Sequence, residues 1–168
     1  NYELMEVDPN IYPKNKKLQA IIDKESVPYR DEVDQILGYT KTALYRYFII
    51  ENPMDNFITD AARWKTGVDI SLSNGFRFSP PLNTPSEGVT PITQGFIWNM
   101  LPVNEYVKTG KATGQQIQDW LEKELHNVFA KNPTERFGGW MVRYSGMTIT
   151  FNANAAKGER IDNILVGG

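Results

Sequence analysis

Cysteine is absent from the sequence, and histidine occurs once, at His126. Without cysteine there is no disulfide, no thiolate-bound zinc and no cysteine nucleophile. One histidine leaves too few ligands for the His- and Asp-rich centre that a two-metal hydrolase normally needs. Basic runs are also missing: 18 Lys and Arg stand against 20 Asp and Glu, a formal net charge of −2. The pull that a strongly basic face exerts on nucleic acid or an anionic membrane is therefore not expected. No apolar run reaches the length of a membrane-spanning helix. No serine lies in a Gly-x-Ser-x-Gly elbow, so acyl transfer has no support. The chain opens at Asn1, with neither Met nor a signal peptide, and reads as a piece of a longer protein.

What is present is an ordinary globular composition, 40% hydrophobic and 23% charged over 168 residues. That length suits one domain and buries enough surface to fold without staples. Residues 1–30 read as an entry linker and helix, and 31–168 as a single domain. Asp8-Pro9, Asn10 and Pro13 mark the extended entry. Leu18, Ile21 and Ile22 give Lys14–Ser26 a helical period, which Pro28 is expected to end. Val33–Thr40 and Leu44–Ile50 read as strands.

Asn52-Pro53 is the clearest helix start. The Asn52 side chain is expected to accept from first-turn amides, and Pro53 lacks only a donor that had no partner there. Met54, Phe57, Ile58 and Ala61 form the apolar stripe, and Gly67 caps the end. Val68–Leu72 reads as a buried strand. Four prolines and Gly88 make Ser79–Pro91 irregular. Thr93–Met100 reads as a short helix and Glu105–Thr109 as a strand. Thr113-Gly114-Gln115-Gln116 fits a capping box. It opens a helix with Ile117, Leu121, Leu125 and Val128 on one face, Trp120 and Phe129 at its edges, and Asn132-Pro133 as its stop. Gly138 and Gly139 form a joint before Trp140. Three strands follow, Met141–Tyr144, Gly146–Phe151 and Arg160–Val166. Alternating elements followed by clustered strands indicate an α/β sandwich, with α+β as the alternative.

The stretch Leu72–Pro81 organises the functional reading. A strand ends in the turn Asn74-Gly75, and Arg77 follows between Phe76 and Phe78. Ligands of open α/β sheets bind outside the carboxyl ends of strands. Arg77 is therefore the first candidate to hold an anion, since a guanidinium gives strong and often bidentate bonds to oxyanions. The plainer alternative is a strand turning a corner, with Arg77 solvated or in a structural ion pair. Asn74 either orients the arginine and ligand or simply makes the turn. Phe76, Phe78 and Trp140 supply an apolar wall or pack in the core. Arg143 and Tyr144 lie on opposite faces of one strand, so at most one of them faces the site. His126 sits beside its helix's apolar stripe and reads as a surface histidine. No residue is assigned a catalytic role.

Three runs now fall in a familiar order: ENPMDNFITDAARWKTGVDISLSNGFR at 51–77, ITQGFIWNMLPVNEYVKTGKATGQQIQDWLE at 92–122, and GGWMVRYSGMTITFNANAAKGERIDNILVGG at 138–168. From about Ile36 onward the chain resembles the C-terminal domain of the 5′-nucleotidases, including the related version in sulfur-oxidation thiosulfohydrolases. The resemblance implies a mixed sheet with helices packed on it, acting as a substrate-specificity domain. It favours Arg77 as the contact to the substrate's anionic group, with Asn74, Phe76, Phe78, Trp140 and Arg143 as the further candidates to bind substrate. It further implies an N-terminal metallophosphoesterase domain of the same protein that carries two divalent metals, so that the present chain holds no cofactor and no metal and is inactive alone. The substrate would be a small anion, a nucleotide or other phosphoester or a sulfur oxyanion, in a periplasmic or secreted bacterial enzyme.

The departures also carry meaning. The family's Asn-Gly-Gly-Gly-x-Arg is shortened here to Asn74-Gly75-Phe76-Arg77. Its earlier arginine falls near Ile50, with Arg46 the nearest candidate, and Val103 replaces a stacking Phe. A second stacking aromatic would lie beyond the last strand. These losses shift the expectation toward the thiosulfohydrolase-like or another branch, with a stand-alone binding module as the rival. The last strand, ending in Val166-Gly167-Gly168, is expected to leave an open sheet edge through which two copies pair.

Overall fold

The computed structural model describes residues 2–75, 80–103 and 105–167. Helix α1 (Lys16–Ser26) runs through a 3-10 turn, Val27–Tyr29, into the short α2 (Arg30–Val33). Strand β1 (Ile36–Thr40) and helix α3 (Pro53–Thr66) follow, then β2 (Ser71–Ser73), β3 (Thr90–Thr93) and α4 (Gln94–Met100). Helix α5 (Gly114–Phe129) precedes β4 (Arg143–Ser145), β5 (Met147–Phe151) and β6 (Ile161–Val166). The class is α/β as read. The described strands form three antiparallel pairs, β1–β3, β2–β4 and β5–β6.

Local chemistry explains the long helices. α5 starts in a complete capping box: the Thr113 hydroxyl accepts from Gln116 N, and the Gln116 side chain accepts from Thr113 N. Its apolar stripe packs into a core of Leu121, Val142 and Met147, flanked by Ile117, Ile149 and Ile164. Glu122, itself buried, accepts from Ile161 N at 2.6 Å and so ties α5 to β6. α3 ends where Gly67 adopts φ 69°, in the left-handed region that favours glycine. It contributes Met54 to a second core with Leu44, Ile92 and Met100.

Several expectations are corrected. The end of the first helix is not among them: α1 stops at Ser26, as read, and Pro28 occupies an early position of the following 3-10 turn, where its missing N–H costs nothing. Leu18, Ile21 and Ile22 lie on α1, but α1 buries none of its residues. Residues 44–50 form no strand beyond an isolated bridge, Leu44 to Leu82. The carbonyls of residues 48–50 instead accept from a side chain, Arg143. The expected strand at 68–72 contracts to Ser71–Ser73, and the described residues of 105–113 have no regular structure. The stripe of α3 is rotated: Phe57 is 43% exposed, while Asp55 and Thr59 are buried with Met54.

Candidate functional site

β2 and β4 run side by side with Ser73 opposite Arg143. At the end of β2 the chain turns through Asn74 and Gly75, and Gly75 has φ 65°. A Cβ on Gly75 would lie 2.9 Å from Arg143 Nε and 3.2 Å from Trp140 Cδ1. Only glycine lets the turn rest this closely on the arginine. The Trp140 indole N–H donates to the Asn74 carbonyl at 2.8 Å, which pins the turn from its outer side.

Beneath the turn lies a buried ionic cluster. Arg46 Nε and Nη2 donate to Asp55 Oδ1 at 3.0 and 2.7 Å. Arg143 Nε approaches Asp55 Oδ2 at 3.3 Å. The side chains of Arg46, Asp55 and Arg143 are 2%, 0% and 3% exposed. Arg46 Nη2 also reaches Ser73 Oγ at 3.5 Å. The remaining Arg143 nitrogens donate to the carbonyls of Phe48, Ile49 and Ile50. Burial pushes the Arg143 guanidinium below the usual arginine range; Asp55 opposes this and Arg46 reinforces it.

Asn52 does not cap α3 with its side chain. Its Oδ1 accepts from Phe48 N at 2.7 Å, and its Nδ2 donates to Phe48 O at 3.1 Å and Asp55 Oδ2 at 3.4 Å. The side chain is spent on Phe48 and Asp55, so it is not available to the helix amides.

Of the residues read as substrate-binding, Asn74, Trp140 and Arg143 meet at this turn. Arg143 is turned inward, and Tyr144 packs against the other core, as strand alternation requires. Phe76, Arg77 and Phe78 lie outside the described residues. Asp55 and Asn52 went unread as members of this cluster. An Asp in a helix's first turn ordinarily signals dipole complementation at the surface. Nothing local in the sequence says that Asp55 faces two arginines. Arg46 had one signal, its nearness to a family arginine position. His126 bonds to Glu135 Oε2 at 2.9 Å and belongs to the end of α5. Among the described residues, no group of three or more His, Cys, Asp or Glu could hold a metal ion.

On another face of α3, a polar cleft of about 390 Å³ is lined by Glu51, Asp60, Arg63, Tyr144, Ser145 and Gly146. The Ser145 hydroxyl donates to Asp60 Oδ1 at 2.5 Å, and Arg63 Nε donates to Asp69 O at 3.0 Å. Burial, assisted by Glu51, pushes the Tyr144 phenol up.

Comparison with known proteins identifies the family. The model of the family described as 5′-nucleotidase, C-terminal domain, matches residues 33–168. The chain is 26% identical over 174 residues to the trifunctional nucleotide phosphoesterase protein YfkN of Bacillus subtilis, covering 99% of this chain and 11% of that protein. Among solved structures, it is similar to the sulfate thiohydrolase SoxB of Thermus thermophilus, with TM-score 0.75 and 25% identity, over 93% of this chain and 28% of that one. It shares its fold with a 5′-nucleotidase precursor, also from Thermus thermophilus, with TM-score 0.66 and 20% identity, over 94% of this chain and 30% of that one. The chain thus spans less than a third of the length of each of these relatives.

Proposed function

The chain belongs to the 5′-nucleotidase C-terminal domain family, and from that premise we propose that it is the substrate-recognition domain of a 5′-nucleotidase-like two-metal hydrolase. Its ligand is a small anion, a phosphoester or a sulfur oxyanion. The observation that supports this most is the Ser73–Gly75 turn, seated on two buried guanidiniums that share one carboxylate. Arg77 follows this turn by two residues and supplies the direct contact to the anion. Trp140 gives the apolar wall beside it. The names nucleotide phosphoesterase and sulfate thiohydrolase, carried by two of the relatives, fit a substrate bearing an anionic, oxygen-rich group.

The hydrolytic step belongs elsewhere in the protein. The two divalent metals and the water they activate lie in an N-terminal metallophosphoesterase domain. This chain orients the substrate toward them, and its residues take no proton.

Equilibrium binding tests the reading. AMP or thiosulfate should bind the purified chain, adenosine should not, and Arg77→Gln should weaken binding about tenfold or more, the effect of losing a charge-assisted contact. Adenosine binding as tightly as AMP, or an Arg77→Gln variant that binds as well as wild type, would contradict it.

A further inference from the structure

A buried ionic cluster is tolerated when its charges balance and its hydrogen bonds are complete. In the cluster under the turn Arg46 holds Asp55 through Nε and Nη2, but the charges do not balance. Two guanidiniums face one carboxylate, which leaves one positive charge in excess. Among the described residues no second Asp or Glu pairs with either arginine. The carbonyls of residues 48–50 offer Arg143 partial negative charge, not a whole one. An isolated buried cation is costly, so the surroundings are expected to supply a counter-charge.

The excess lies close beneath the turn. Gly75 rests on Arg143, and Ser73 Oγ touches Arg46 Nη2. Of the three turn residues, only Asn74 is exposed. No acidic residue occurs between Ser71 and Ser86, whereas Arg77 does. The local sequence therefore adds positive charge and no negative charge.

Resting on the anionic-substrate reading above, we infer that Arg46 and Arg143 are positioning residues whose uncompensated charge makes the Ser73–Gly75 turn an anion subsite, and that Asp55 sets its strength by neutralising only one of them. Neither guanidinium touches the ligand. They act through the turn they support, by holding its shape and by keeping a cation behind it. The bound anion completes the charge balance, so ligand binding and stability of the cluster are linked. The subsite accepts the charged group of a phosphoester or sulfur oxyanion and gives no advantage to the rest of the molecule.

The test is thermal unfolding as a function of orthophosphate, with chloride adjusted to hold ionic strength constant. Wild type should melt at rising temperature as phosphate increases. In Arg46→Gln the half-saturating phosphate concentration should rise about tenfold or more, because one of the supporting charges is gone. Arg46→Lys keeps the charge and should stay within about threefold of wild type. Asp55→Asn should melt lowest without phosphate yet saturate at a lower phosphate concentration than wild type, since both cations are then uncompensated. Opposite shifts in Arg46→Gln and Asp55→Asn are the signature that a purely structural cluster does not give. If both variants melt lower but saturate where wild type does, the inference fails and the anionic-substrate reading stands. If wild type responds to neither phosphate, sulfate nor AMP, both fail. Should Asp55→Asn not fold, the contrast between Arg46→Gln and Arg46→Lys decides alone.

Discussion

At Gly146 the absence of a side chain lets Asp69 and Arg63 approach the backbone closely. A Cβ there would stand 2.0 Å from the Asp69 carbonyl oxygen and 2.7 Å from Arg63 Nε, and the residue has φ 88°. Gly146→Ala is expected to destabilise the chain by roughly 3 kcal/mol or more, because clash and backbone strain add. Gly139→Ala meets nothing within 4 Å and should change stability by less than about 0.5 kcal/mol. Urea midpoints of the two variants check the contrast. Tyr144 carries a pH dependence of its own. Its folded pKa is raised above 10.0 by burial and by Glu51. Its contribution is therefore intact below the unfolded pKa and is lost as pH rises through the folded one. Wild type should lose stability relative to Tyr144→Phe above a pH of about 10, read by urea denaturation at stepped pH. Sequence alternation alone said that only one of Arg143 and Tyr144 could face the site. It could not say that Arg143 would face Asp55, because Asp55 arrives from a helix about ninety residues earlier in the chain, beyond any local pattern.

At the scale of elements, what was local was legible. The capping box at Thr113 and the glycine stop at Gly67 depend on residues within one turn of each other, and both form as read. Thr113→Ala should cost about 1 kcal/mol, measured by the shift in denaturation midpoint. The misread elements were those whose backbone is claimed by a distant side chain. Leu44–Ile50 has strand composition, rich in aromatic and β-branched residues. Its carbonyls nevertheless go to Arg143 and its Phe48 amide to Asn52, so a ladder cannot form there. Asn52 was likewise lost to the helix cap because Phe48 offers it both a donor and an acceptor. The turn of the candidate site was legible as Asn74-Gly75. Its foundation was not, since Arg46, Asp55 and Arg143 come from three separate segments.

The whole molecule places that foundation where two cores adjoin. Met54 belongs to one core and its neighbour Asp55 to the ionic cluster; Val142 belongs to the other core and its neighbour Arg143 to the same cluster. The recognition surface proposed above would therefore rest on both cores. Purified chain supplied with Mn²⁺ or Zn²⁺ should hydrolyse no phosphomonoester above background. Metal-dependent turnover that copurifies with the chain would place catalysis here and remove the division of labour proposed above. The most direct test of anion recognition is the indole N–H resonance of Trp140, which donates to Asn74 O and so reports on the turn. It should be followed by NMR, with the Gly75 amide, through titrations of AMP, thiosulfate and adenosine. Saturable shifts of both signals with AMP or thiosulfate, and none with adenosine, are the expected result. Signals that stay fixed with both anions, or that move as much with adenosine, would contradict a recognition domain built on this turn.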